Sequence, residues 1–294
     1  MTTLEQIIKS YNPKTIEETK AIIREIVQSI VLIGLSRSNF FAKASFYGGT
    51  ALRIFYGLNR YSEDLDFTLN KPDKNFSIEP YIEKIREVGL SYGLNLDVTK
   101  KIKKIETPIE SAFAKLNFAK LNTYQTFISL KLNEKMISTL HKDEIIKVKF
   151  EIDCNPALGF KTENKWIDIP EFASVIVLDE ASLFAGKLHA IICRNYKNTV
   201  KGRDYYDFLF YVSKRIKPNL EYLKNKLIES GNLHKNDEFN LNILKNMLRE
   251  RFEKVNFDQV KNDAEHFVFK NEDLSFYSKE LFLQMLDRIK KNSL

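Results

Sequence analysis

The stretch between Gly48 and Phe67 constrains the fold of this chain more than any other part of it. It opens with a glycine pair, continues as a short apolar segment and ends where Asp64 and Asp66 flank a single leucine. The glycine pair predicts a turn that starts a helix, and the acidic segment predicts a β-strand. Because successive side chains of a strand point to opposite faces, both carboxylates are expected on the same face.

Two carboxylates this close together predict a cation site. They repel each other unless a cation lies between them, and their oxygen atoms suit Mg²⁺, with Mn²⁺ as the alternative ion. The backbone amides of Gly48 and Gly49 can approach an anion at the start of the helix, where the dipole favours negative charge. Nucleotidyl transfer requires such amides beside a divalent-metal clamp. The alternative is an ordinary helix and strand with two solvated aspartates, but the order and spacing of the motifs favour the functional interpretation.

Composition indicates a globular protein of the cytoplasm. The chain has 294 residues, enough for two domains or for one large core with an appended subdomain. No apolar run approaches the length of a bilayer span and the first residues lack a secretory pattern, so no membrane partner is expected. The two cysteines, Cys154 and Cys193, stand in no metal-binding or redox spacing. The net charge of +7 is compatible with a polyanionic partner but is weak evidence on its own.

Periodicity predicts an α+β chain with a helical C-terminal region. Helices are expected over residues 4–45, 51–56, 79–92, 180–193, 203–214, 218–230, 239–254 and 275–291. Strands are expected over residues 64–69, 95–104, 112–119, 124–132, 145–153 and 173–178. The change from strands to helices predicts a domain boundary near residues 175–180, which separates a first domain of residues 1–178 from a second of residues 179–294.

The predicted strand at 145–153 alternates charged and apolar residues. Its charged members share one face, and they are Lys147, Lys149, Glu151 and Asp153. A half-exposed strand with a solvated charged face explains the same alternation. Parity does not separate the roles of Glu151 and Asp153, because both point to the same side.

Charged residues also interrupt two apolar helices near the C-terminal side of the boundary. Lys187 shares its helix face with apolar residues, and Arg194 continues that face seven residues later. A lysine in this position needs an anion or must extend its ammonium group to solvent. Asp207 is expected to meet a cation, namely Lys187, Arg194, Arg203 or a metal, because carboxylates are rarely buried unpaired. The helix dipole is sufficient to explain Asp204 in the first turn.

These motifs resemble those of the AbiEii/MenT family within the DNA polymerase β-like nucleotidyltransferase superfamily. The first motif is Gly48-Gly49-Thr50-Ala51-Leu52, followed by Arg60-Tyr61-Ser62-Glu63-Asp64-Leu65-Asp66-Phe67. The strand with Glu151, the helix with Lys187 and the segment 203–207 are similar to the second, third and fourth motifs. The resemblance implies a nucleotidyltransferase-type mixed sheet flanked by helices, to which the C-terminal domain adds Lys187 and Asp207.

The resemblance also implies roles for individual residues. The catalytic set is expected to be Asp64, Asp66, Glu151, Lys187 and Asp207. Metal contacts are expected from Asp64, Asp66 and Asp153, and Glu151 or Asp153 is expected to complete the metal shell or activate the attacking hydroxyl. Nucleotide contacts are expected from Gly48, Gly49, Thr50, Ser62, Lys187 and Arg194. The hydroxyl of Ser62 is expected to bind a phosphate oxygen or to order the turn at 48–50.

The activity implied by the resemblance is that of a type IV toxin. Such an enzyme would move NMP from an NTP to an RNA, with the tRNA 3′ end as the expected acceptor, and so stop translation. The implied partner is an antitoxin with a winged-helix DNA-binding portion, encoded beside the toxin and not necessarily bound to it. The alternatives are transfer to a protein or small-molecule hydroxyl, and a non-catalytic scaffold that binds nucleic acid or a partner. RNA contacts are expected from the lysine cluster at 100–104 and from Lys197, Lys201 and Arg203.

Overall fold

A mixed sheet of seven strands organises the part of the chain that the computed structural model describes, residues 4–11, 13, 15–101, 107–117, 145–194, 200–268 and 272–290. The strands are β1 (Ala44–Tyr47), β2 (Leu65–Leu69), β3 (Leu96–Lys100), β4 (Ile109–Asn117), β5 (Ile145–Asp153), β6 (Thr162–Ile167) and β7 (Ala173–Leu178). Their order in the sheet is β3-β4-β5-β2-β1-β7-β6. Strand β2 runs parallel to β5, whereas β4 runs antiparallel to both β3 and β5. The α+β class predicted from the sequence is confirmed.

Ten α-helices lie within the same described residues. They are α1 (Leu4–Tyr11), α2 (Ile16–Arg37), α3 (Gly48–Tyr56), α4 (Glu79–Ser91), α5 (Glu180–Cys193), α6 (Gly202–Ser213), α7 (Leu220–Glu229), α8 (Leu241–Lys254), α9 (Phe257–Glu265) and α10 (Lys279–Leu286). Thr15 caps α2 by accepting the Glu18 amide at 3.1 Å, and Asp179 caps α5 by accepting the Ser182 amide at 2.8 Å. None of these helices is both long enough and apolar enough to cross a membrane.

The chain divides into two compact units. The first unit contains residues 1–46, 63–156 and 164–176, and the second contains residues 47–62, 157–163 and 177–294. Helix α3 therefore belongs to the second unit, although β2, the next element in the chain, belongs to the first.

The first unit is built on the apolar face of the sheet. Alternate residues of β2 are buried, among them Leu65 and Phe67, and so are Val148 and Phe150 of β5. The ring centroid of Phe40 lies 5.1 Å from that of Phe67 in an edge-to-face arrangement. Because these residues face the core, the residues between them are turned to the opposite face of the sheet.

An aromatic cluster forms the core of the second unit. The ring centroid of Phe252 lies 5.3 Å from that of Phe208 in α6 and 5.5 Å from that of Phe282 in α10. All three rings are completely buried. The polar residues of α6 are therefore embedded in a helix whose position is fixed by ring packing.

Several predicted elements differ from the structure. Residues 4–45 do not form one helix, because α1 and α2 are separate and Asn39, with a left-handed φ of 60°, precedes a short 3₁₀ turn and the strand β1. The sequence reasoning also missed β6 and α9. Strand β6 is a polar strand at the sheet edge, and α9 buries only Val260 and Ala264. The predicted strand at 124–132 lies outside the described residues.

Candidate functional site

Asp66 occupies the second position of β2, where it is half-buried between the fully buried Leu65 and Phe67. The parallel register of β2 and β5 aligns Asp66 with Glu151. Aligned residues of neighbouring strands project from the same face, so the two acidic side chains lie side by side. Asp64 immediately precedes the strand.

Two further contacts hold Glu151 in place on this face. The hydroxyl of Ser111 in β4 donates to Oε1 of Glu151 at 3.1 Å, and Nζ of Lys149 lies 2.8 Å from Oε2. A carboxylate with defined partners for both oxygens has a fixed orientation beside Asp66.

Asp153 is in a different position. It aligns with Thr68, two residues farther along β2, and its Oδ1 accepts the backbone N–H of Asn155 at 3.0 Å. Of the two candidates for the third carboxylate, Glu151 is the one aligned with Asp66.

The Mg²⁺ site expected at Asp64 and Asp66 remains a prediction. In the described part of the chain, no three His, Cys, Asp or Glu side chains form a group that could hold a metal ion. Mg²⁺ commonly uses one or two protein carboxylates and takes its remaining ligands from water and substrate phosphates. Such a site needs no third protein carboxylate, and the metal contacts of Asp64, Asp66 and Asp153 all remain predictions.

In the second unit, helix α3 begins at the glycine pair. Gly48 has a φ of 84°, in the left-handed region that favours glycine. At Gly49 a Cβ atom would lie 2.7 Å from Nη2 of Arg60 and 3.1 Å from Oγ of Ser62. The hydroxyl of Thr50 donates to Oγ of Ser62 at 2.8 Å, a contact between Ser62 and the turn at 48–50, and the role of Ser62 towards a nucleotide stays a prediction.

Five charged side chains of the second unit form an ion network, which is Arg60–Asp207–Lys187–Asp204–Arg194. Nε and Nη2 of Arg60 donate to the two oxygens of Asp207, each at 2.7 Å. Nζ of Lys187 lies 2.8 Å from Oδ1 of Asp204 and 2.8 Å from Oδ2 of Asp207. Arg194 pairs with the other oxygen of Asp204. Cations and anions alternate along the network. Its members range in exposure from Asp207, which is fully buried, to Arg194, whose side chain is 46% exposed.

Pairing outweighs burial in the protonation of the inner members of the ion network. Burial by itself raises the pKa of Asp207, but the charges of Arg60 and Lys187 hold that pKa below its ordinary value. For Arg60, burial favours the neutral form, and the opposing charge of Asp207 leaves the pKa raised. Both groups are therefore ionised at neutral pH.

Asp207 pairs with Lys187, one of the cations predicted for it. It also pairs with Arg60, which the sequence reasoning missed. The guanidinium of Arg203 instead lies 4.8 Å from the ring centroid of Phe267. Arg60 is separated from Asp207 by 147 positions, so no local spacing could reveal their contact. The available signal was chemical, because a fully buried aspartate implies a charged partner and an arginine stands inside the acidic motif.

Asp204 forms ion pairs in addition to its favourable position in the helix dipole. Its side chain is 1% exposed and pairs with both Lys187 and Arg194. Lys187, whose side chain is 15% exposed, meets the anions Asp204 and Asp207 instead of extending to solvent.

The predicted site residues fall into two sets. Those of the first unit are Asp64, Asp66, Glu151 and Asp153, and those of the second are Gly48, Gly49, Thr50, Ser62, Lys187, Arg194 and Asp207. Of the predicted RNA contacts, residues 102–104 and Lys197 lie outside the described residues, whereas Lys201 is exposed.

Comparison with known proteins identifies the family. A model of the nucleotidyl transferase AbiEii toxin of type IV toxin–antitoxin systems matches residues 30–288. A crystal structure of a "putative nucleotidyltransferase" from H. pylori is 20% identical, with a TM-score of 0.49 over 90% of this chain and 91% of that chain. The crystal structure of JHP933 from Helicobacter pylori is 18% identical, with a TM-score of 0.48 over 90% of this chain and 88% of that chain. No curated protein matches. Since the family model spans most of the chain and both sets of site residues, this chain belongs to the AbiEii family of nucleotidyltransferase toxins.

Proposed function

We propose that this chain transfers NMP from an NTP to the 3′ hydroxyl of an RNA in a Mg²⁺-dependent reaction, and that the acceptor is the tRNA 3′ end. The observation that carries the proposal is the alignment of Asp66 with Glu151 in the sheet of an AbiEii-family chain, with Asp64 two residues before Asp66. In the reaction, a bond forms between the acceptor oxygen and the α-phosphorus, the bond from that phosphorus to the β-phosphate oxygen breaks, and pyrophosphate leaves.

The acidic residues of the first unit would have two roles, metal binding and proton acceptance. Asp64 and Asp66 would hold the metal, which when bound supplies alignment and neutralises developing charge on the phosphates. Glu151 would accept the proton of the attacking hydroxyl, because its orientation is fixed by Ser111 and Lys149.

The second unit would bind the nucleotide. The backbone at Gly48 and Gly49 can approach a phosphate closely, and Thr50 and Ser62 order that turn. An ammonium group has three N–H donors, and Asp204 and Asp207 account for two of those of Lys187. The third can donate to the triphosphate, and Asp207 then acts as a residue that positions Lys187.

Arg194 would make the outermost nucleotide contact. It is the most exposed member of the ion network, and its guanidinium can bind phosphate oxygens in a fork geometry.

The family implies an antitoxin partner and a nucleotide substrate. We propose that the antitoxin is encoded beside this chain and opposes its effect without forming a stable complex. Growth inhibition by the toxin should then be relieved by co-expression of the antitoxin even when the two proteins do not co-purify.

The test is incubation of the purified protein with total RNA and each of the four α-labelled NTPs, with Mg²⁺, with Mn²⁺ or with a chelator. Label is expected in RNA of tRNA size, at its 3′ end, and only when a divalent metal is present. Asp64→Ala and Asp66→Ala should abolish incorporation, whereas the exposed Asp168→Ala serves as the matched control and should retain it. Full activity of a well-folded Asp64→Ala protein contradicts the proposal, and label in protein or in a small molecule instead of RNA shows one of the alternative acceptors.

A further inference from the structure

A basic patch lies on the same sheet face as Asp66 and Glu151. We call it the lysine platform, and it consists of Lys101, Phe113, Lys115, Lys147 and Lys149. In the antiparallel register of β4 and β5, Phe113 aligns with Lys149 and Lys115 aligns with Lys147. The intervening residues, such as Ala114 and Val148, are completely buried on the opposite face. The platform is therefore the outward face of a sheet whose other face is core.

An aromatic ring stands at the centre of the platform. Nζ of Lys147 lies 3.8 Å from the ring centroid of Phe113, and Nζ of Lys101 lies 5.9 Å from it. Phe113 is half-buried, whereas Lys101 and Lys147 are exposed. Among the described residues, no carboxylate pairs with either lysine, while Lys149 pairs with Glu151 and Lys115 lies 3.7 Å from Asp97. The two lysines around the ring thus carry positive charge that no described acidic residue neutralises.

The platform continues directly into the acidic residues. Along β5 the outward positions are Lys147, Lys149 and then Glu151, and Glu151 aligns with Asp66 on β2. Glu151 lies four residue steps beyond Lys147 along the strand, a length of about 13 Å at the rise of an extended strand. A chain of phosphates lying along β5 would place its end at Asp66.

We propose that the lysine platform binds the unpaired 3′ segment of a polynucleotide acceptor, with one base stacked on Phe113 and its phosphates on Lys101 and Lys147. This inference rests on the proposed function and assigns the place where its acceptor docks. Proteins that bind single strands combine a basic track with aromatic rings on which bases stack. An exposed lysine–aromatic contact is weaker than base stacking on the same ring, so a base can displace the ammonium of Lys147, which then lies next to the phosphate of that base.

The chemistry favours a single strand over a duplex or a protein. The bases of a duplex are already stacked on each other and cannot reach Phe113, and an acidic peptide would match the lysines but would leave the ring without a flat partner. The experiment measures binding of a labelled 12-nucleotide single-stranded RNA by fluorescence anisotropy, without NTP or divalent metal, and compares it with a blunt duplex of the same length.

The parent protein should bind the single strand more tightly than the duplex. Phe113→Leu should weaken single-strand binding by roughly 5- to 150-fold, the loss of one stacked base, whereas Phe113→Tyr keeps the ring and should bind like the parent. Replacing Lys101 and Lys147 together with alanine should lower the slope of log affinity against log salt by about 1.4, or about 0.7 for each phosphate contact. Lys226→Ala is the matched control, since Lys226 lies 5.5 Å from the ring centroid of Tyr222 in the second unit, and should leave binding unchanged.

These readouts separate the inference from the proposed function because the binding assay contains no NTP. Ring-dependent binding of the single strand supports the platform even when no NTP condition gives transfer, and in that case the proposed function fails alone. Equal binding by Phe113→Leu and the parent, or equal binding of duplex and single strand, overturns the platform. Transfer to RNA that proceeds normally in Phe113→Leu also overturns it.

Discussion

Asp207 is completely buried and ionised, so the free energy of the folded protein depends strongly on the charged partners of this residue. An ionised carboxylate without partners is costly to remove from water, so its two oxygens are matched by the fork of Arg60 and the ammonium of Lys187. Buried charge networks of this kind are often no more stabilising than an apolar core, but the removal of one member leaves its partner unpaired. The energetic consequence of each network residue therefore depends on the partner that remains.

Arg60→Ala is expected to destabilise the protein by about 3–5 kcal/mol, because it leaves Asp207 with only Lys187 in a dry environment. Arg60→Lys should restore part of this loss, since a lysine keeps the charge but not the two-pronged contact. Urea unfolding of the three proteins measures the effect. Lys84→Ala breaks an exposed ion pair with Glu87 and should cost at most about 1 kcal/mol. A loss at Arg60→Ala no larger than that of this control would show that the buried pair contributes nothing.

Lys187→Met should weaken the use of NTP more than the binding of RNA. Methionine keeps an apolar stem but removes the charge-assisted contact, which is worth on the order of 1.5–3 kcal/mol, or roughly 10- to 150-fold in kcat/KM for NTP. Steady-state kinetics with varied NTP, together with the unfolding midpoint, separate this role from the structural one. If the midpoint falls while kcat/KM for NTP stays at the parent value, Lys187 serves only the ion network.

At the scale of elements, the start of helix α3 packs closely against the chain segment that follows the helix. Gly49 faces Arg60 and Ser62, and Thr50 donates to Ser62. Since Asp207 holds the guanidinium of Arg60 at both Nε and Nη2, that group cannot move aside at low cost. The helix start is therefore positioned by the same residue that neutralises the deepest carboxylate.

Gly49→Ala is expected to destabilise the protein by about 1–3 kcal/mol, as overpacking does in other well-packed interiors. The new Cβ would lie 2.7 Å from Nη2 of Arg60, so either the helix start or the ion pair with Asp207 must shift. The measurement is the unfolding free energy, with Gly186→Ala as the control, because a Cβ at that helical position meets nothing within 4 Å. A neutral or stabilising effect at Gly49, similar to that at Gly186, would contradict the tight packing.

The sequence was most informative where periodicity and chemistry agree. Helix α5 has the predicted limits, β5 has the predicted faces, and the acidic motif predicted a strand at Asp66. Prediction failed where a long-range partner decides the structure. Strand β1 is short and forms because β2 and β7 flank it in the sheet. Strand β6 is a polar, largely exposed edge strand, so its sequence lacks the apolar residues that would predict a strand.

The candidate site shows the same limit. The parity of β5 could place Glu151 and Asp153 on one face but could not choose between them, because the choice depends on the register with β2. The partner of Asp207 was predicted as a cation but Arg60 was missed, since their contact joins segments far apart in the chain. Chemistry of a single residue was thus predictable, whereas pairings set by tertiary structure were not.

For the whole molecule, charge links stability to pH. The chain carries a net charge of +7 at pH 7, and protonation of carboxylates in acid raises it further and increases self-repulsion. Native carboxylates held ionised by partners are the groups whose protonation is linked most directly to unfolding. Asp207 is such a group, because its pKa in the folded protein is below the ordinary value near 3.9.

The sign of this linkage gives a prediction for Asp207→Asn. A carboxyl group whose pKa is lower in the folded than in the unfolded state contributes stability that is complete above the unfolded pKa and is lost as the pH falls through the folded one. The unfolding free energy of the parent should therefore exceed that of Asp207→Asn by a constant amount from pH 7 to about pH 5, and the difference should shrink only below about pH 4. Urea unfolding at pH steps between 3 and 7 measures it, with the exposed Asp168→Asn as a control that should follow the parent throughout. A difference that instead grows as the pH falls from 7 to 5 would mean that burial, and not the pairing with Arg60 and Lys187, dominates the protonation of Asp207, because a carboxyl group with a raised folded pKa gains stability on acidification.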